Sequence, residues 1–475
     1  MNFAIQSTFT KSKSINWTIG LSIISFVLLF HKTGLGLNLA IFDILILAFW
    51  LATDSARFKE PRIIITAIAT MVTAGCTAWY ATPDTIIWSI ICMSWLSQQM
   101  LYPDNSFLFF ETKSFINIFT GPLTAIAEFL TLDKEQVSNQ KLLKGLFVVV
   151  IPLFIAILFA AFYSNFNPYF EEGFQDLINM LDFSMIITLM LGTFFSLYIF
   201  KAYLPAKLNF IDQVLGNEFN SDEDDEDSPK TAIEQQAGLS LFGILNLVLI
   251  IFLVSDIAFV NQLSNGVGDN YSQYVHQGVG MLIFSIVLAT SFILYFFRGR
   301  KFSRLPNSSW LKRLALLWML LNIIMLFTTG FKNLFYVIEY GLTLKRIGVF
   351  VYLSMAAAGL AFAFLKVFKG RTNAYLFRNL YWSFFMILTV NLCMDWSTIT
   401  TRFNIHENIK DHRNLDWSYL LTLNERTVPI LIHYQDKLRL GNVEKENFKS
   451  HLVHKEYALK NYTPEWREMS LAKQN

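Results

Sequence analysis

The sequence is poor in the features that mark soluble or extracellular proteins. Only 16% of its 475 residues are charged and only three are cysteine. So little charge excludes a disordered chain or a coiled coil, and three cysteines cannot staple a small secreted scaffold. Its 22 glycines follow no triplet period, which excludes collagen. A net charge of +2 offers no footprint for nucleic acid or for a globally acidic partner. There is no Walker loop, GxGxxG, GxSxG, HExxH or CxxC. No cofactor or metal is therefore expected, and enzyme is the less favoured class.

What is abundant is apolar surface: 54% of residues are hydrophobic, and there are 46 Phe, 18 Tyr and 11 Trp. The mean hydropathy of +0.42 suits a chain whose solvent is the lipid bilayer. A spanning helix needs about 20 apolar residues, because it satisfies its own backbone across a hydrocarbon core of roughly 30 Å. Eleven runs qualify, at about 15–31, 35–52, 62–80, 84–101, 145–163, 183–203, 238–261, 276–297, 312–331, 347–366 and 377–396. The expected fold is all-α, a polytopic transmembrane helix bundle of about eleven spans. Lys11 and Lys13 ahead of the first run resemble a signal peptide, but no small-residue cleavage site follows Phe30, so the run reads as a retained span.

Positive residues near a span resist translocation. With the amino terminus inside, the cytoplasmic segments hold 22 Lys and Arg and the opposite loops hold four, Lys32, Lys332, Lys345 and Arg346. Eleven spans then carry the tail to the periplasmic side of an inner membrane. Beyond Ser397 the charge density rises, with 12 basic and 10 acidic residues in 79. Three regions follow: 1–144 with four spans and an amphipathic cytoplasmic segment, 145–396 with seven spans, and 397–475 as a small soluble helical tail. Residues 107–130 read as an interfacial helix pair around Gly121-Pro122, and the six acids from Asp222 to Asp227 as a solvated loop. In the tail, Trp417, Leu420, Leu421, Ile430, Leu431 and Tyr434 recur at spacings that make one apolar face. Asp416 to Lys437 reads as two short helices split at Pro429, and Asn442 to Lys473 as a longer helix broken at Pro464. His451 and His454 lack an acidic or thiol partner for a metal.

Ionisable residues in or beside spans are the candidate site, because an ion in hydrocarbon must be hidden or used. Asp43 lies near the middle of span two with no cation nearby in sequence. It is either a proton or cation site or a neutral aspartate hydrogen-bonded to a neighbouring helix. Asp256 and Asp395 lie near the outer ends of spans seven and eleven, His276 starts span eight, and Glu339 falls in the loop after span nine. The same loop holds Lys332, Lys345 and Arg346. This cluster is either an ion-pair network pinning the loop or a pocket for an anionic ligand gripped by the Arg346 fork. Gly341 suits a turn with positive φ and Thr343 suits a helix cap, which puts Lys345 and Arg346 in a first turn whose dipole they oppose. Glu339, Asp256 or Asp395 is expected to offset them. Asn246, Asn322 and Asn391 are expected to hydrogen-bond between helices.

Several local motifs carry a family resemblance. They are Tyr163-Ser164-Asn165-Phe166-Asn167-Pro168, Tyr274-Val275-His276-Gln277-Gly278, and the most specific, the run from Phe335 to Arg346 (FYVIEYGLTLKR). Arg402-Phe403-Asn404-Ile405, the run from Leu415 to Leu421 (LDWSYLL) and Val428-Pro429 continue the order. From about Phe162 onward the chain resembles the bacterial multi-pass membrane proteins grouped as DUF4173/DUF4153. The resemblance implies membrane placement and a shared architecture, and it carries no activity. Three function classes remain: an envelope signalling or scaffold protein whose tail meets an envelope partner, a transporter or channel for a small ion or solute, and an intramembrane enzyme acting on a lipid carrier. The last needs His276, Glu339 and Arg346 to converge.

Overall fold

The computed structural model describes residues 13–101, 117, 183–200, 218, 229–264, 286–288, 290–298 and 308–460. Among these there is no strand. The chain forms two compact units, one from residues 1–212 with 464–475 and one from residues 213–463.

In the first unit, α1 (Lys13–Phe30), α2 (Leu37–Thr53), α3 (Pro61–Tyr80), α4 (Pro83–Leu101) and α5 (Phe183–Phe200) pack side by side. Pro61 opens α3 and Pro83 opens α4, where the missing N–H costs nothing. Phe42, Ile46, Trp50, Leu96, Met100 and Phe200 form the core. Ser196 of α5 meets Ser22 of α1 at 2.9 Å, and the Phe26 ring lies against Gly192, where a Cβ would come within 2.9 Å of it. This small residue is what allows the two helices to approach so closely.

In the second unit, α6 (Pro229–Ser264), α7 (Ser308–Tyr340), α8 (Leu344–Lys369) and α9 (Asn373–Leu392) pack in sequence, α6 on α7, α7 on α8 and α8 on α9. Phe242, Ile293, Phe296, Trp318 and Leu360 are buried between them. Asn246 bridges α6 to α7 by donating to the Leu314 carbonyl at 2.9 Å, as expected of an interhelical amide. Asn322 donates to Trp318 O of its own helix.

Exposure runs opposite to that of a soluble protein. On α6, Leu247 and Val254 are 61% and 66% exposed while Asp256 is buried. Four helices, at Pro61–Tyr80, Ile233–Ala258, Ser308–Tyr340 and Leu344–Lys369, are long and apolar enough to cross a membrane. Four shorter apolar helices, Trp17–Phe30, Leu37–Thr53, Ser184–Phe200 and Ile286–Phe296, accompany them. The expected run at 145–163, the segment 107–130 apart from Asn117, the acids 222–227 and half of the run at 276–297 lie outside the described residues.

Two boundaries differ from expectation. α6 has 36 residues and α7 has 33, about 54 and 50 Å at 1.5 Å per residue, well beyond the hydrocarbon thickness. Lys332 and Glu339 therefore sit on the last turns of α7 and not in a loop, because no proline falls between Thr328 and Tyr340, Gly330 keeps a helical backbone, and the chain leaves the helix only at Gly341.

The tail forms α10 (Trp396–Asp411), α11 (Trp417–Thr422), a 3-10 turn (Glu425–Thr427), α12 (Val428–Tyr434) and α13 (Asn442–Lys460). The two short helices separate at 423–427, and Pro429 opens α12 instead of splitting it. Leu420, Leu431, Phe448 and Leu452 are buried in a core of the tail's own, with Trp417, Leu421, Ile430 and Tyr434 packed on it. Pro464 lies outside the described residues.

Candidate functional site

The α7–α8 turn is assembled from four helices. Gly341 has φ +82°, which frees the chain to leave α7, and the Thr343 hydroxyl caps α8 by accepting from Arg346 N at 3.3 Å. Asn404 of α10 then grips the turn from outside. Its Oδ1 accepts from Leu342 N at 2.7 Å and its Nδ2 donates to Leu342 O at 2.9 Å, so one amide replaces the partners a strand would give. The Tyr419 hydroxyl accepts from Leu344 N at 2.8 Å.

Arg346 sits in the first turn of α8, where the macrodipole opposes a cation. Its guanidinium carbon lies 3.9 Å from the Tyr336 ring centroid and 5.9 Å from that of Tyr340, and it donates to the Gly341 carbonyl. Asn333 donates to the Arg346 carbonyl at 3.1 Å. Two ring faces and a carbonyl thus surround the charge, where a carboxylate was expected.

The carboxylates are engaged elsewhere. Asp256 of α6 pairs with Lys332 of α7, both mostly buried. Asp395 caps α10 through Thr398 N at 3.2 Å and binds Arg426 of the tail at 3.1 Å. Glu339 and Lys345 are exposed. His276 lies outside the described residues. Among the described residues Glu339 forms no ion pair with Arg346. The described residues include no group of three or more His, Cys, Asp or Glu fit to hold a metal, and Cys76, Cys92 and Cys393 are not in disulfides.

Asp43 belongs to the first unit and is 1% exposed. The Ser89 hydroxyl of α4 donates to its Oδ2, while Oδ1 has no hydrogen-bond partner. In the same unit, Thr66, Thr70, Thr73 and Thr77 of α3 are each 0–1% exposed. Those threonines recur four, three and four residues apart, a one-face helical period. The spacing was legible in the sequence, although hydroxyls score weakly as a membrane signal. Ser89, Asn404, Tyr419 and Arg426 carry no local signal of their own, since each matters only for what it meets across the fold.

A family model described as a domain of unknown function, DUF4153, matches residues 18–434. The chain belongs to the DUF4153 family. No curated protein and no solved structure matches the chain. The DUF4153 match extends the resemblance seen from Phe162 onward to the amino-terminal helices, so Asp43 lies within the family domain, as does the clamped turn. The match ends at the last residue of α12, leaving α13 beyond it. Within the DUF4153 region, the runs from Phe335 to Arg346, Arg402 to Ile405 and Leu415 to Leu421 are far apart in sequence and meet at this one turn.

Proposed function

We propose that this DUF4153 protein is a multi-pass protein of the bacterial inner membrane, with about eleven spans and a cytoplasmic amino terminus. In this reading it is an envelope scaffold or signalling protein whose helical tail engages another envelope protein on the periplasmic side. The observation that carries the reading is the clamp. The tail has its own core, and Asn404 and Tyr419 fix it to the turn between two membrane-length helices, so it is held as a rigid platform. Orientation rests on the basic-residue bias of 22 to four and on an odd number of spans.

Alkaline phosphatase fused after Asn475 is expected to be active and phosphatase fused after Asp227 silent. Activity at Asp227 overturns the orientation. A photo-crosslinking residue at Val453 or Tyr457, both exposed on α13, is expected to give one discrete adduct in living cells. That adduct should vanish in Leu431→Asp, which places a charge in the tail core. No adduct from either position rejects the platform.

Transport of a small ion or solute is a second reading, supported by the buried Asp43 and the hydroxyl face of α3. It predicts uptake or efflux that Asp43→Asn abolishes and that the tail variant leaves intact.

A further inference from the structure

The first unit encloses a carboxylate with half of its hydrogen-bonding capacity unused. The register of the surrounding helices follows from two cross-links. Thr77 of α3 donates to Thr85 O of α4 at 3.1 Å, and Thr66 donates to Gln99 Oε1 at 3.0 Å. In an antiparallel pair with Thr77 opposite Thr85, one further turn along brings Thr73 opposite Ser89. Asp43, Ser89 and Thr73 therefore share one depth, about 9 Å below the starts of α2 and α4. Thr73 spends its proton on its own helix, at Ala69 O, and presents oxygen lone pairs to the interior. Among the described residues only Ser89 donates to the carboxylate.

An ionised carboxylate buried with one donor calls for a positive charge or a proton, and the titratable and charged groups nearby can be compared. Among the described residues, α1 offers His31 and Lys32 just beyond its end, α3 offers Arg62, Cys76 and Tyr80, α4 offers Asp84 and Cys92, and the 3-10 turn Ser55–Lys59 offers Arg57 and Lys59. None of these bonds to Asp43, and the charged ones lie toward helix ends. A bound hard cation would need about six oxygen ligands. The helices run unbroken through residues 43, 73 and 89, so their carbonyls are committed to helix bonds and the side chains alone fall short. A proton needs only one oxygen.

Hydroxyl side chains mark the side of α4 that leads from the turn toward Asp43. Thr82 in the turn between α3 and α4 is half-buried, and its hydroxyl meets that of Thr85 at 3.1 Å. Thr85 lies one turn from Ser89 on the same face of α4. Hydroxyls at 82, 85 and 89 thus lie between the turn and the carboxylate, with one helical turn separating Thr85 from Ser89.

We infer that Asp43 is a reversible proton-binding site, taking a proton from water on Oδ1 while Ser89 holds Oδ2. The product is the neutral acid, and release returns the same proton. This goes beyond the scaffold reading and stands or falls separately from it.

The test is infrared difference spectroscopy of the full chain in lipid nanodiscs between about pH 5 and pH 9, following the C=O stretch of protonated carboxyls. A band that gains and loses intensity across this range, and is lost in Asp43→Asn, is the expected result. Ser89→Ala keeps the carboxyl and removes its one donor, so it should displace the band in frequency, an assignment independent of how well Asp43→Asn accumulates. A band of constant intensity over the range marks a permanently protonated structural acid and overturns the proposal. So does a titrating band that neither variant alters.

Discussion

Gly341 and Arg346 show how a single residue is settled by local geometry. A Cβ at Gly341 would lie 2.8 Å from Asn404 Oδ1, on a backbone at φ +82° that side chains rarely adopt. Gly341→Ala is therefore expected to destabilise the protein by about 1–3 kcal/mol, read as a lower thermal midpoint in detergent. Gly348→Ala is its control, since no atom lies within 4 Å of the added methyl and a helix interior favours alanine. For Arg346, lysine keeps the charge and loses the flat guanidinium that lies on Tyr336. Arg346→Lys should cost about 0.5–2 kcal/mol in the same assay, and Tyr336→Leu a similar amount. Wild-type midpoints for both would remove the stacking account. The glycine turn and the Thr343 cap were legible in sequence because they are local rules. The stacking was not, because a cation at a helix start predicts a carboxylate by sign alone, and the fold supplied ring faces instead.

At the scale of the element, the decisive device is one amide holding a turn. Asn404→Ala leaves the Leu342 N–H and C=O without their partners, a loss of about 1–3 kcal/mol. The expected outcome is tail release: protease added to the exposed side of oriented membranes should cleave near residues 393–395 in the variant and spare the wild type. Equal protection in both would show that Tyr419 and Arg426 suffice.

Within the tail, Lys449 of α13 hydrogen-bonds Asp436 at 2.8 Å and holds its carboxyl below the ordinary aspartate range. Because the folded value is the lower one, the contribution is complete above the unfolded value of about 3.9 and fades as pH falls through the folded value. Hydrogen-exchange protection at the start of α13, taken relative to the intrinsic rate at each pH, should fall on acidification in the wild type, with Asp436→Asn already showing the lower protection at neutral pH. The pair is exposed, so the change should be confined to that helix end. The apolar spacing from Trp417 to Tyr434 anticipated the tail's core face. The length of α7 was not anticipated, since hydropathy marks where a helix lies in lipid and gives no signal for turns that continue beyond it.

For the molecule as a whole, 54% hydrophobic residues and long apolar runs with little charge already pointed to a helical membrane protein, because a backbone in lipid must satisfy itself and runs of about 20 residues suit a helix. The sequence also marked a rise in charge after Ser397 and singled out Asp43 as a costly residue in an apolar run. The pairings were beyond it. That Asp43 meets Ser89, that Lys332 neutralises Asp256, and that Asn404 reaches back 62 residues to Leu342 depend on which helix faces come together. Periodicity says that a residue lies on a face. Only packing decides what that face meets, because interhelical hydrogen bonds and ion pairs join residues remote in sequence.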